Sequence, residues 1–336
     1  MLVLGVESSC DETSVSIVKD GKEVLSNAIH SQIDIHQKFG GVVPEIASRN
    51  HVYQVSMIFE EALKQAKVKP QDIDIVAVTI GPGLIGSLLV GLNAAKAFAL
   101  LYKKPILGVH HLAGHIYANA IEHTMKFPAV ALLVSGGNTE LIYMKDHFCF
   151  EVIGQTLDDA VGEAYDKVAR VIGLPYPGGP AVDKLAHSGE DIYHLPRVYL
   201  EEGSYNFSFS GLKSAVINLV HNAHQRKEEI QPENLCASFQ EAVCEVLVNK
   251  TLRLAKEKGV QQIIVAGGVS ANKGLKERFM KENKEFEICI PSIRYCTDNA
   301  AMIAVAGYYQ YQKIKKVDDL SLNAYASLDL EELYEI

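Results

Sequence analysis

Cysteine is scarce in this 336-residue chain: the six present, at 10, 149, 236, 244, 289 and 296, form no CxxC pair and no even-spaced framework. Neither secretion nor a disulfide scaffold is indicated. The N-terminus, MLVLGVESSC, has no charged stretch ahead of its apolar run and reads as a buried strand. Low-complexity linkers are missing too. One stretch, Gly81 to Leu101, is apolar enough to pass for a membrane span, with Lys96 as its sole charge. Gly81, Pro82, Gly83, Asn93 and the strand-like segment ahead of it favour a buried helix of an α/β domain. Positive charge is in deficit: Lys plus Arg is 32 against 41 for Asp plus Glu, a net −9. That balance argues against a protein that grips nucleic acid unaided through a broad basic face. The length suits about two domains with a sizeable core. The expectation is a cytoplasmic, enzyme-sized chain.

Short apolar runs bounded by Gly, Asp or Ser read as strands, and longer segments with three-to-four spacing read as helices. Strands are expected at Leu2–Glu7, Thr13–Lys19 and Glu23–His30, with Asp20-Gly21 as a tight hairpin turn. A helix follows from Pro44, a good first-turn residue, to about Lys67. Then come strand Ile73–Thr79, helix Leu84–Leu101, strand Ile106–Val109 and a helix from about His110. The second half repeats the order. Ala129–Val134, Asn138–Tyr143 and Phe148–Ile153 are three more strands, and Ile263–Ala266 runs into Gly267-Gly268 and a helix. One strand-rich α/β unit used twice is the expected architecture, with helical insertions around 155–260 and a cleft between the halves. Phe127-Pro128 is the expected boundary.

Two histidines four apart, in His111-Leu112-Ala113-Gly114-His115, share a helix face with Cβ atoms about 5–6 Å apart, so both imidazoles can reach one metal ion. The zinc-peptidase form needs Glu after the first His, and here that residue is Leu112. His110 points about 100° away around the helix and is set aside. The best distant carboxylate is Asp298, just ahead of the apolar helix Ala300–Ala306. The alternative for Asp298 or Thr297 is helix capping. Two His and one carboxylate suit Fe(II) or zinc without choosing between them.

Small-residue turns form a second group. Ser8–Ser14 and Ser135-Gly136-Gly137-Asn138-Thr139 join corresponding strand pairs, and Gly267-Gly268 precedes a helix. Such turns present backbone N–H groups to phosphate, and Gly permits close approach. A third group lies in the insertion. Asp159, Glu163, Asp166 and Lys167 fit one helix face, for which a solvated, salt-bridged surface is the competing reading. Gly178-Gly179-Pro180 precedes a helix carrying Asp183.

Linked in order, these motifs resemble one family over nearly the whole chain. They are Gly5–Thr13, Gly40–Arg49, Gly81–Leu84, His111–His115, Leu133–Gly137, Tyr176–Pro180, Phe207–Lys213, Gly267–Asn272 and Cys296–Asn299. The sequence is similar to the Kae/TsaD-type tRNA N6-adenosine threonylcarbamoyltransferases, once called O-sialoglycoprotein endopeptidases. The resemblance implies a duplicated actin/Hsp70/sugar-kinase-like (ASKHA) fold. Its halves would be 1–127, joined by C-terminal helices from about 299–336, and 128–298, flanking a nucleotide cleft. It implies transfer of threonylcarbamoyl from threonylcarbamoyl-AMP, made by a separate synthase, to N6 of the adenine 3′ of the anticodon in tRNAs reading codons that begin with A. His111, His115 and Asp298 match the family's metal ligands, for one divalent ion, Fe(2+) before Zn(2+). Leu133, Val134, Ser135, Gly136, Gly137, Asp166, Gly179, Asp183 and Asn272 match its substrate-contacting positions. The N6 amine is a poor nucleophile, so a carboxylate that takes its proton is useful, and Asp11 or Glu12 is the candidate. The implied partners are the paralogue TsaB as heterodimer, the P-loop ATPase TsaE and tRNA, with no membrane. Lys167, Arg170, Lys213 and Arg294 are candidate local contacts for tRNA phosphates. Competing functions are an ATPase or small-molecule kinase of the same fold, a nucleotide-switched binding protein, and a metallopeptidase.

Overall fold

The structure, a computed structural model, describes residues 1–334 and divides the chain into two units. Unit 1 comprises Met1–Met125, Lys145–Phe150 and Pro291–Ile336; unit 2 comprises Lys126–Met144 and Glu151–Ile290.

Unit 1 is built on a five-stranded sheet in the order β3-β2-β1-β4-β5. Its strands are β1 (Leu2–Glu7), β2 (Glu12–Lys19), β3 (Glu23–Ser31), β4 (Ile75–Gly81) and β5 (Ile106–His110). β1 pairs antiparallel with β2 and parallel with β4, which pairs parallel with β5. Asp20 and Gly21 at the β2–β3 turn both have positive φ, 52° and 66°, which suits a tight primed turn. β1 and β4 are near-continuous apolar runs because both faces of the sheet are covered.

Helix α1 (Pro44–Ala66) begins on proline as expected, and α2 (Ile85–Tyr102) follows β4. α2 is the one helix among the described residues long and apolar enough to cross a membrane. Leu88, Leu92, Ala95 and Ala99, spaced for one helix face, are instead buried in the unit-1 core with Val6 and Val78. Each buried Leu contributes about 1.5–3 kcal/mol. β5 leads directly into the short helix α3 (His111–Tyr117).

Unit 2 repeats the plan with β6 (Ala129–Val134), β7 (Thr139–Met144), β8 (Phe150–Gln155, whose first residue belongs to unit 1), β9 (Gln262–Ala266) and β10 (Glu287–Cys289). The order is β10-β9-β6-β7-β8, with β6 antiparallel to β7, parallel to β9, and β9 parallel to β10. Read from the hairpin edge this is the unit-1 order again, so the duplication expected from the sequence is present. The insertion holds α4 (Val161–Val171), α5 (Gly178–Ala186), α6 (Ser210–Arg226) and α7 (Pro232–Glu257), followed after β9 by α8 (Lys273–Glu282). Three details differ from expectation. Asp159 precedes the first turn of α4 rather than lying on its face, Gly178-Gly179-Pro180 form the first turn of α5 rather than preceding it, and Gly268–Ala271 forms a 3-10 turn before α8 begins.

The last long helix, α9 (Ala300–Ile314), packs on β1, β2 and α3 within unit 1. Its close approach to β1 requires glycine at position 5, where a Cβ would lie 2.3 Å from the Ala300 carbonyl oxygen. The Ser14 hydroxyl accepts from the Ala300 amide at 2.9 Å and fixes the start of the helix against β2.

Candidate functional site

β5 ends at His110, and the chain turns at once into α3, so His111 and His115 open and follow the first turn of one helix. His110 caps that helix: its Nδ1 accepts from the Leu112 amide at 3.1 Å, and its Nε2 donates to the Leu328 carbonyl at 3.0 Å. Burial lowers its pKa to about 4, so it is a neutral structural residue. His110 is thus kept from the other two histidines by closing β5 ahead of the helix, not by its angle around the helix.

His111 and His115 meet edge to face, with ring centroids 4.8 Å apart. Asp298 reaches both: its Oδ1 lies 3.1 Å from His115 Nε2 and 3.6 Å from His111 Nε2. The three side chains offer ligand atoms all within 4.8 Å of one another. Asn299, not Asp298 or Thr297, caps α9, accepting from the Met302 amide at 3.1 Å. Asp298 is therefore spared for the histidines.

The donor set fits a divalent ion. Nitrogen and oxygen ligands about 2.1 Å from a metal stand roughly 3.0–3.4 Å apart; the distances of 3.1 and 3.6 Å from Asp298 Oδ1 to the two imidazoles are near that range, and the imidazoles need only a small side-chain adjustment to close on one ion. His115 is 1% exposed, and its Nε2 faces the Asp298 carboxylate at 3.1 Å without an aligned hydrogen bond, an arrangement that an ion between the two would complete. Two imidazoles and one carboxylate leave open positions, as a catalytic site requires. Burial opposes ionisation of both His111 and Asp298. The Glu7 and Asp298 charges outweigh it at His111 and raise its pKa to about 9, while His111 first and then His115 lower Asp298 to about 2.

Glu7 was not among the residues singled out from sequence. Its carboxylate, 1% exposed at the end of β1, lies 3.0 Å from His111 Nδ1 and accepts from the Thr79 hydroxyl at 2.6 Å and the Ser9 amide at 2.5 Å. The Ser9 hydroxyl is also within 3.2 Å of His111 Nδ1. A lone carboxylate closing an apolar strand was the available signal, but it reads equally as a strand end.

Asp11 is buried in the β1–β2 turn, and Glu12, half-buried, opens β2. Glu12 accepts from the Ser31 hydroxyl at 2.9 Å. Burial first, then the charges of Asp298 and Asp11, push the Glu12 carboxyl well above the usual range.

In unit 2, Leu133 and Val134 are buried in β6, and Ser135-Gly136-Gly137 turns the chain into β7. Ser135 Oγ accepts from the Asn138 amide at 3.0 Å. A Cβ at Gly136, Gly137, Gly179 or Gly268 would meet nothing within 4 Å, so packing does not demand glycine there and the backbone is open to approach. The parallel pairing Leu133↔Ala266 sets the turn after β6 beside Gly267. Gly267 itself has φ +90°, and a Cβ there would lie 2.4 Å from the Val134 carbonyl oxygen.

The polar candidates of unit 2 also hold structure. Asp166 Oδ1 accepts from the Gly178 amide at 2.7 Å, and burial raises its pKa despite that bond. Asp183 accepts from the Lys273 and Gly274 amides at 3.0 and 3.2 Å, and Asn272 caps α8 through the Leu275 amide at 2.8 Å. Each carboxylate keeps acceptor capacity beyond these bonds. Of the basic candidates, Lys167 and Lys213 are both drawn to Asp159, at 2.9 and 2.6 Å. Arg294, with its side chain 68% exposed, pairs with Glu122 at 3.5 Å.

Comparison with known proteins fits this geometry. The family model described as TsaD: tRNA N6-adenosine threonylcarbamoyltransferase matches residues 23–305. A protein of that name from Geobacillus kaustophilus is 60% identical over 331 residues, covering 98% of this chain and 96% of its own. Among solved structures, full-length HypF in its phosphate- and nucleotide-bound form matches with TM-score 0.61 at 14% identity, covering 94% of this chain and 47% of HypF. The Acidaminococcus fermentans (R)-2-hydroxyglutaryl-CoA dehydratase component A matches with TM-score 0.54 at 15% identity, covering 93% of this chain and 99% of its own. These likenesses show the ASKHA fold.

Proposed function

The chain belongs to the tRNA N6-adenosine threonylcarbamoyltransferase family and is a tRNA-modifying transferase; from that premise we propose the following division of labour among its residues. The donor is threonylcarbamoyl-AMP and the acceptor is N6 of the adenine 3′ of the anticodon in tRNAs reading codons that begin with A. N6 attacks the carbamoyl carbon, the bond from that carbon to the phosphate oxygen breaks, AMP leaves, and N6 gives up a proton. The observation that carries the assignment is 60% identity over 98% of the chain.

His111, His115 and Asp298 hold one divalent ion, ferrous iron in first place and zinc in second, as the nitrogen and oxygen donors suit both. A bound ion supplies Lewis acidity that draws electron density from a carbonyl oxygen. The turns at Ser135–Gly137 and Gly267–Gly268 take the adenylate part through backbone amides. Asp166, Asp183 and Asn272 accept from or donate to the polar groups of the donor, with Leu133, Val134 and Gly179 shaping the surface. Asp11 and Glu12 are the proton acceptors proposed for N6.

Partners follow the same reasoning. α1 and α2 pack together and expose Val52, Tyr53 and Met57 on one helix and Ile85 and Leu89 on the other, with Tyr53 73% exposed. That apolar face is proposed to receive TsaB. Because Lys167 and Lys213 are spent on Asp159, strong tRNA binding is proposed to need TsaB and TsaE. A cytoplasmic location follows from the substrate.

Incubation of the purified chain with tRNA, threonylcarbamoyl-AMP, TsaB and TsaE should yield N6-threonylcarbamoyladenosine by nucleoside mass spectrometry. ATP turnover with no modified tRNA in any combination would instead favour the kinase or ATPase reading. In salt-dependent titrations, tRNA should bind the chain alone more weakly and with a shallower slope than it binds the complex.

A further inference from the structure

A carboxylate buried at the end of an apolar strand needs a reason, because burying an unpaired charge is expensive. Glu7 closes β1, and three donors converge on it. Its Oε1 accepts from the Ser9 amide at 2.5 Å, while Oε2 accepts from the Thr79 hydroxyl at 2.6 Å and faces His111 Nδ1 at 3.0 Å. Both edges of the carboxyl group are thus required as acceptors.

We propose that Glu7 is a positioning residue: its carboxylate holds a proton on His111 Nδ1, so that Nε2, which faces Asp298 and His115, is the nitrogen that gives up its proton and offers its lone pair when an ion binds. The inference deepens the metal reading of His111, His115 and Asp298 and rests on it. An imidazole can ligate only through an unprotonated nitrogen, and the hydrogen bond at the other nitrogen decides which one that is. A carboxylate behind a ligand histidine fixes ring orientation and tautomer and makes the ligand nitrogen more basic. Here the carboxylate is itself fixed from two other sides. Thr79 stands on β4, the parallel neighbour of β1, and Ser9 follows Glu7 by two residues, so the sheet carries the orientation to α3.

Glutamine cannot replace Glu7 in this role. Its carbonyl oxygen can serve one edge, and its NH2 must then face the other. If the NH2 faces His111, it donates to Nδ1 and drives the ring proton to Nε2, which blocks the metal-facing nitrogen. If it faces Ser9, two donors meet at the 2.5 Å contact. The Ser9 hydroxyl, by contrast, can donate or accept, so it does not select a tautomer.

The test compares wild type, Glu7→Gln and Ser9→Ala for Zn2+ affinity by chelator competition, with circular dichroism of each metal-free protein as a fold check. The expected result is a loss of about 10–100-fold for Glu7→Gln. Ser9→Ala should lose no more than about fivefold, the size of one neutral hydrogen bond of about 1 kcal/mol. Nitrogen-15 NMR of the Zn2+-loaded wild type should show His111 protonated at Nδ1, a readout that stands even if Glu7→Gln fails to fold. Zn2+ binding by folded Glu7→Gln within twofold of wild type, or a proton on Nε2 in the loaded wild type, would overturn the role of Glu7. Failure of wild type itself to bind Zn2+ or Fe2+ would overturn the metal reading on which it stands.

Discussion

Gly5→Ala would place a Cβ 2.3 Å from the Ala300 carbonyl oxygen and 2.8 Å from the Ala304 amide nitrogen. Comfortable carbon contacts lie at about 3.5–4.0 Å, so the first turn of α9 must retreat from β1 by about 1 Å. Both contacts are backbone, and backbone cannot swing aside as a side chain tip can. Overpacking of this kind costs about 1–3 kcal/mol. The same retreat carries Asp298, two residues upstream of Ala300, away from His111 and His115. Metal ligand distances tolerate only about 0.2 Å, so a shift of this size should weaken binding at least about tenfold. Thermal melts and Zn2+ competition on the same variant measure the two effects together. Gly211→Ala in α6 is the control: its Cβ would meet only Val198 Cγ2, at 3.9 Å, and helix propensity should stabilise it by up to about 1 kcal/mol. If Gly5→Ala melts and binds Zn2+ like wild type, the close approach of α9 to β1 is not what delivers Asp298 to the histidines.

Two further outcomes follow from the interior. Lys250 is 1% exposed, donates to the Tyr199 and Asn206 carbonyls and pairs with no carboxylate among the described residues; burial, then the charge of Arg253, lowers its pKa from 10.5 to about 8. Below pH 8 it is charged in both folded and unfolded chains, and the folded state bears the cost. Between about 8 and 10.5 the unfolded chain binds more protons, so stability rises with pH by at most about 3 kcal/mol. Denaturant melts from pH 7.5 to 10.5 should show that rise in wild type relative to Lys250→Met, and parallel profiles would disprove it. Asn299→Ala removes the cap of α9 and should cost about 1 kcal/mol in a urea melt. A variant as stable as wild type would mean that Thr297 or Asp298 takes over the capping.

Elements whose signal is local were legible in the sequence. Apolar strands, the Asp20-Gly21 turn, the proline start of α1 and the repeated strand order all depend on neighbours within a few residues, and the structure has them. The His111 and His115 pair was legible for the same reason, since a helix turns spacing into geometry. What was hidden depends on contacts across long separations. Glu7 meets Thr79 and His111 from 72 and 104 residues away, and nothing near it in sequence marks it as more than a strand end. Asp159 reads as one stripe of a helix face, yet it precedes α4 and holds Lys213 from 54 residues off. Asp183 reads as a ligand carboxylate of α5, and the fold also uses it to cap the amides that open α8, 90 residues later.

The central claim is that this chain is a threonylcarbamoyl transferase whose His111, His115 and Asp298 hold the ion it needs. Its most direct test is single-turnover transfer to tRNA, with TsaB, TsaE and threonylcarbamoyl-AMP supplied. Metal-stripped wild type, wild type reloaded with Fe2+ or Zn2+, and reloaded Asp298→Ala would be compared by mass spectrometry of the tRNA nucleosides. The account predicts N6-threonylcarbamoyladenosine from reloaded wild type and a rate lower by about 100-fold or more for the stripped protein and for Asp298→Ala, the order expected when several kcal/mol of Lewis-acid stabilisation is lost. Equal rates in all three samples would contradict it.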